Sequence, residues 1–339
     1  MAGSGQAAFA AGGAAPPSSS STRTVPVQAC PAEPLAPGAP SPSPSLKPVA
    51  GSVPVPNGVT LPPSVTVYGA SYPGDAQYLV APSGWACDVV SFSADGGEQA
   101  YVHPGANSTD PLSAQYTSLV HAVFNSGGAQ TNIDLACPFI PQATTPGGGA
   151  PPNTCTAQPH QSGDVLHVVP TNTPGLYVTV VGVPVGVHEP NLAASQQAPT
   201  SGQPNPIVSL VTFQGPGGPA QEISCALPKP GQSPSASPSA STTTPSPLTS
   251  PTSSASSTSP SSPVTSPSSL TPPSTASESP LTSLSPAAAA SPSPTSAQNC
   301  QATLGYFLAT GSLGSQLSST NLSAALADLN GFIASFLGG

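Results

Sequence analysis

Between residues 56 and 228 the chain is a succession of short β-branched and aromatic runs cut by Gly, Pro and Asn. "VTVYG" (65–69), "CDVVSFSA" (87–94), "EQAYVH" (98–103), "DVLHVV" (164–169), "GLYVTVVGVPVGV" (175–187), "IVSLVTF" (207–213) and "EISCAL" (222–227) have the length and composition of strands. Asp95-Gly96-Gly97, between the second and third, accept positive φ and predict a hairpin. One stretch has a different rhythm. Tyr116, Leu119, Val120, Val123 and Phe124 recur at helical spacing, Asp110 can cap, Pro111 suits a first turn, and Ser126-Gly127-Gly128 can close it, so a helix is expected over 110–125. The fold class read from this pattern is mainly β: a single disulfide-stapled, sandwich-like domain with one helix.

Outside 56–228 the pattern dissolves and then returns. Residues 1–55 are Ala/Pro/Ser-rich and read as a disordered N-terminal segment. Residues 229–298 carry no aromatic and, after Lys229, one charge at Glu278. Such a segment cannot bury enough apolar surface to offset its ordering entropy, and it reads as a disordered Ser/Thr/Pro stalk and a candidate for O-glycosylation. In residues 299–339, Leu322, Leu326, Leu329, Ile333 and Phe336/Leu337 follow a helical rhythm that Thr320 can cap. This short apolar module either folds back on the β-domain or on 301–313, or docks on a partner. The β-domain is expected to fold without anything beyond Pro228.

Charge narrows the partners. Three basic residues (Arg23, Lys47, Lys229) face twelve acidic ones, the formal net charge is −9, and 4% of residues are charged. Nothing in the chain can neutralise a phosphate backbone or dock on anionic lipid, so neither nucleic acid nor an electrostatic membrane surface is an expected partner. No run approaches the ~18 apolar residues of a transmembrane helix.

Six dispersed cysteines, without C-x-x-C or C-x-x-H, do not form zinc-ligand pairs and read as a disulfide framework of an oxidising, extracellular or cell-surface setting. Cys87 and Cys225, both in core-like strands, are expected to pair. Cys137 and Cys155 are expected to close a short loop, at a gain of roughly 3 kcal/mol in the chain-entropy model. Cys30 and Cys300 would then pair with each other or between chains. On a strand Trp85, Cys87 and Val89 share one face, which sets the only tryptophan beside a disulfide as a core staple. The order Trp-Ala-Cys differs from the immunoglobulin pattern, in which the Trp lies between the two cysteines.

"APSGWACDVVSFSADGG", "ACPFIP" (136–141) with Cys155, and "ISCALP" (223–228) resemble uncharacterised secreted actinobacterial proteins with a GW-x-C…DG segment, a CP-x-x-P segment and a late Cys-x-Leu-Pro. The resemblance spans roughly 55–228 and implies export and disulfide bonding; it carries no activity. Ala8-Phe9-Ala10 fits a signal-peptidase site without the basic and apolar regions that precede one, so a signal peptide is expected upstream of this start.

Common chemistries are absent. There is no G-x-S-x-G elbow, P-loop, H-E-x-x-H, EF-hand loop or papain-type cysteine signature, and Asp95-Gly96 lacks the hydroxyl residue of an aspartic-protease dyad. "GPGGPA" (215–220) matches the dinucleotide glycine pattern in letters only. His103, His121, His160, His167 and His188 remain, with Asp164 near His167, as do Asp75, Asp88, Asp95 and Glu98 around the first hairpin. No catalytic, cofactor-binding or metal residue is assigned, and no cofactor is expected. The expected function is a non-enzymatic binding or interaction protein whose partner is a protein or cell-envelope component; the alternative is a secreted hydrolase built from dispersed Asp and His.

Overall fold

The computed structural model describes residues 23–31, 45–92, 96–108, 110–144, 154–198, 204–215, 218–226, 294–311 and 314–338. Two sheets carry the fold. The larger has seven antiparallel strands in the order β5-β6-β7-β11-β10-β9-β8, from β5 (Ala86–Ser91), β6 (Glu98–His103), β7 (Leu119–Asn125), β8 (Val165–Val168), β9 (Leu176–Val183), β10 (Ile207–Gln214) and β11 (Ala220–Ala226). The smaller has four, in the order β2-β1-β3-β4, from β1 (Thr24–Ala29), β2 (Ser52–Pro54), β3 (Val65–Ser71) and β4 (Ala76–Pro82); β1 runs parallel to β3. The mainly-β class and the seven strand-like runs are as the sequence pattern indicates.

The helix expected over 110–125 is instead a turn followed by β7, the third strand of the large sheet. Leu119 to Phe124 are all buried. A strand covered on both faces is largely apolar, and five apolar residues among the six buried positions 119–124 satisfy a helical period by accident. The helix of this region, α1 (Ala129–Ala136), starts after Gly127-Gly128, the residues expected to end one.

The N-terminal segment is also more structured than its composition suggests. β1 and β2 lie within residues 1–55, and Cys30 is buried. At Gly69 of β3, a Cβ would fall 2.3 Å from Val49 Cγ1 and 2.9 Å from Val27 Cγ1, so the absent side chain lets the N-terminal strand approach.

The C-terminal region belongs to the same compact unit as the sheets. Helix α3 (Pro294–Thr310) begins inside the span expected as stalk and lies along β4, where Thr303 Oγ donates to the Val80 carbonyl at 2.8 Å. Cys300, Leu304, Phe307 and Leu308 fill the core between the sheets together with Tyr68, Tyr72, Val208 and Ile223. Helix α4 (Ser319–Gly338) packs over α3 through Leu326, Leu329, Ile333 and Leu337, and its cap is Ser318, whose Oγ accepts from Asn321 N at 3.2 Å, not Thr320. Of the two readings of the tail, the fold-back one is therefore correct, and the β-domain does not end at Pro228. No described helix is long and apolar enough to cross a membrane.

The disulfides correct the expected scheme. Cys137–Cys155 forms as expected, but Cys87 pairs with Cys30 and Cys225 with Cys300. Cys87 sits on the edge strand β5 and Cys225 on the central strand β11, separated by β6 and β7. At about 4.8 Å per strand those cysteines are well beyond the ~7 Å Cα limit of a disulfide. Each reaches instead to an element laid over the face they share. Trp85 packs against that core, and its backbone N–H and carbonyl both meet the Tyr68 hydroxyl at 3.2 Å.

Candidate functional site

The face of the large sheet that points away from the small sheet carries an unusual polar row. Strand register sets Asp88, Tyr101, His121, Ser224 and Ser209 side by side across five strands. Val90, Gln99, Val123 and Glu222 form the next row. Because alternate residues of these strands fill the opposite, apolar face, the sequence runs look like simple strands, and the polar row emerges only when register aligns them.

At one end, His103 Nε2 lies 2.8 Å from Asp88 Oδ2, and both side chains are buried. The second ring nitrogen, Nδ1, faces the Pro104 carbonyl at 3.2 Å. Asp88 Oδ2 also accepts from Ser108 N at 2.9 Å, while Tyr116 stacks on the imidazole at 4.2 Å. Both nitrogens point at oxygen acceptors, so neither is available to a substrate. The pair ties loop 104–108 to the edge strand β5, where Asn107 Nδ2 also donates to the Cys87 carbonyl at 2.6 Å.

In the middle of the row, His121 stacks on Tyr101 at 4.2 Å and meets Gln99 Oε1 at 3.2 Å. Burial holds its ring neutral, with the pKa pushed down to about 3. Next to it Glu222 is 0% exposed. Ser224 Oγ donates to its Oε1 at 2.6 Å, and the N–H of Ala193, first residue of the short helix α2 (Ala193–Gln196), lies 3.2 Å from both carboxyl oxygens. Desolvation raises the Glu222 pKa to about 7 against these stabilising bonds, and Glu189 adds to the rise.

Glu189 is equally buried and accepts from Gln161 N at 2.7 Å and from Asn191 N and Nδ2 at 2.8 and 2.6 Å. Beside it stands Asp164, whose two carboxyl oxygens are shielded from solvent. Burial and the neighbouring Glu189 hold the Asp164 carboxyl well above the ordinary range. Among the described residues no Lys or Arg balances these acids: Arg23 and Lys47 are exposed, and the ion pairs are His103–Asp88 and His167–Asp328.

The remaining suspects are dispersed. His167 meets Asp328 of α4 at 2.7 Å rather than Asp164, and stacks on Phe332 at 5.3 Å. His160 Nδ1 faces the Gln161 carbonyl at 3.1 Å, and His188 Nδ1 lies 3.4 Å from Ser195 Oγ. Asp75 bonds the N–H of Ala76 at 2.8 Å; burial, then Asp75, raises the Glu98 pKa to about 7. Asp95 lies outside the described residues. Asp134 gathers near Cys137 and Cys155 in ligand-like proximity, but the sulfurs are joined in a disulfide. Asp134 instead takes hydrogen bonds from Thr156 N and Oγ1 at 2.7 Å each, which locks the loop.

A cleft of about 330 Å³ opens elsewhere, between loop 58–62 and helices α3 and α4. Its walls include Thr60, Gln298, Gln301 and Asn330 over Leu326, with no charged side chain. Sequence reasoning missed it because its wall is assembled from loop 58–62, α3 and α4, which lie far apart in the chain. The chain matches no protein-family model, no curated protein and no solved structure, so the resemblance to secreted actinobacterial proteins rests on its short motifs alone.

Proposed function

We propose that this chain is a non-enzymatic binding or interaction protein of an extracellular or cell-envelope setting, whose partner is a protein or envelope component. The observation that carries the reading is the enclosure of its acid–base groups. Asp88, His103, His121, Glu189 and Glu222 are each 0–1% exposed, whereas a general acid or base must come within about 3 Å of the proton it moves. Their hydrogen bonds fasten loops to the large sheet. Three disulfides and a near-absence of Lys and Arg support an oxidising compartment.

The alternative, a secreted hydrolase, has one observation in its favour, the shielded Asp164 carboxyl beside Glu189. The two readings separate on incubation of the full chain with immobilised envelope polysaccharides and peptides. Retention without released product supports the binding reading. Product release that disappears in Asp164→Asn supports the hydrolase and overturns it.

A further inference from the structure

We infer that strand β8, the free edge of the seven-stranded sheet, is a self-association surface that pairs antiparallel with β8 of a second copy of this chain. Strand register shows which backbone groups are available. Val169 N donates to the Val178 carbonyl at 2.9 Å, Val165 faces Gly182 and His167 faces Val180, so the odd-numbered residues direct their N–H and C=O groups into the sheet. The even-numbered ones direct theirs outward, where no described strand follows. Asp164 N donates to the Gln161 carbonyl at 3.1 Å, and Pro170 has no N–H. The free donors of this edge are therefore the Leu166 and Val168 N–H groups, each beside its own outward carbonyl and symmetric about His167.

The occupant follows from that symmetry. A second copy laid antiparallel, His167 against His167, sets Leu166 opposite Val168 twice. Each of these pairs exchanges two hydrogen bonds, so every free donor is met and none remains to extend the ladder. The contact closes as a twofold dimer rather than propagating. Side chains and charge agree. Val165, Leu166 and Val168 are three of the six large apolar side chains exposed among the described residues, and Val168 is 70% exposed. The usual guards of an edge are missing: the strand has no Lys, no Pro and no break in register. At the opposite edge of the sheet, by contrast, Asn107 Nδ2 caps the Cys87 carbonyl. A net charge of −9 keeps copies apart over most of their surface. At β8, however, Asp328 is held by His167 at 2.7 Å and the Asp164 carboxyl is shielded, so no unpartnered carboxylate faces the second copy. Four residues a side make a small contact, and the dimer is accordingly weak and forms at high concentration.

The test is sedimentation equilibrium of the full oxidised chain over a wide concentration range, paired with amide hydrogen exchange at the same concentrations. A monomer–dimer equilibrium is expected, with the Leu166 and Val168 amides protected only where the dimer is populated. Val168→Pro keeps an exposed apolar side chain and removes an N–H that bonds nothing within the fold, a place where an edge strand accepts proline. It should weaken dimerisation roughly tenfold or more and leave the Tm at low concentration unchanged. Should that variant fail to fold, Val168→Lys, which puts a charge into the apolar contact, takes its place. A chain that stays monomeric, a mass beyond the dimer, a dimer whose Leu166 and Val168 amides exchange as in the monomer, or a folded variant that dimerises unchanged overturns the inference. So does a monomer in which those amides are protected only on adding acetyl-Thr-Val-Thr-Val-amide, which assigns the edge to a foreign strand. The binding reading above stands apart from each of these outcomes.

Discussion

Glu222 gives the most direct test of how this interior is held together. Its carboxyl ionises near 7 in the fold instead of the ordinary 4.5, because burial removes water and the Glu189 carboxyl adds to the rise. Below pH 4.5 the group carries its proton in both the folded and the unfolded chain. Between 4.5 and 7 the unfolded chain releases that proton while the fold retains it, and above 7 the fold must ionise too. The stability associated with the proton is therefore present at acid pH and is withdrawn as pH rises through this window. At about 1.4 kcal/mol per pH unit the loss is roughly 3 kcal/mol. For a folded body of this size that is roughly 6–12 °C in Tm. Glu98 and Asp164 are raised as well and act in the same direction, more weakly because solvent screens them. Glu222→Gln replaces the protonated carboxyl by a near-isostere that cannot ionise. Thermal unfolding of the oxidised protein followed by circular dichroism is expected to show wild type and variant alike at pH 4.5, with the variant the more stable by roughly 3 kcal/mol at pH 8.5. Because His121, held neutral by burial, shifts wild type and variant alike, the difference between them is the readout: a variant that loses as much as the wild type between pH 4.5 and 8.5, or that is no more stable than the wild type at pH 8.5, would refute the reasoning.

Three further outcomes follow from the packing. Deleting 299–339 removes Cys300, Leu304, Phe307 and Leu329 from the core, so the remaining chain should lose cooperative unfolding altogether; a sharp transition near the wild-type Tm would show that α3 and α4 are dispensable. A protease site engineered at Ser257 should yield two fragments that migrate together until the Cys225–Cys300 bond is reduced, checked on paired reducing and non-reducing gels. His103→Ala leaves the Asp88 carboxylate buried without its partner and should cost about 3–5 kcal/mol in urea unfolding at pH 6; a loss below 1 kcal/mol would mean that the pair does not fasten loop 104–108.

What the sequence by itself determined was composition-level and local. Strand runs such as 98–103 and 207–213 were legible because β-branched residues between turn formers have one economical conformation, and Cys137–Cys155 because a short loop brings its ends together whatever the rest of the chain does. The helix of α4 was legible from its apolar stripe, which a single exposed face makes distinct. Residues 119–124 were not, since a strand buried on both faces loses the alternation that identifies it. Nor was the partner of Cys87 or Cys225, because pairing depends on which element lies over a strand, and here those elements, β1 and α3, start in Pro/Ser-rich stretches whose composition hides them. The polar row Asp88–Tyr101–His121–Ser224–Ser209 was written in five separate strands. Only strand order and register, decided by how two sheets and two helices bury their apolar faces together, turn those scattered residues into one enclosed network.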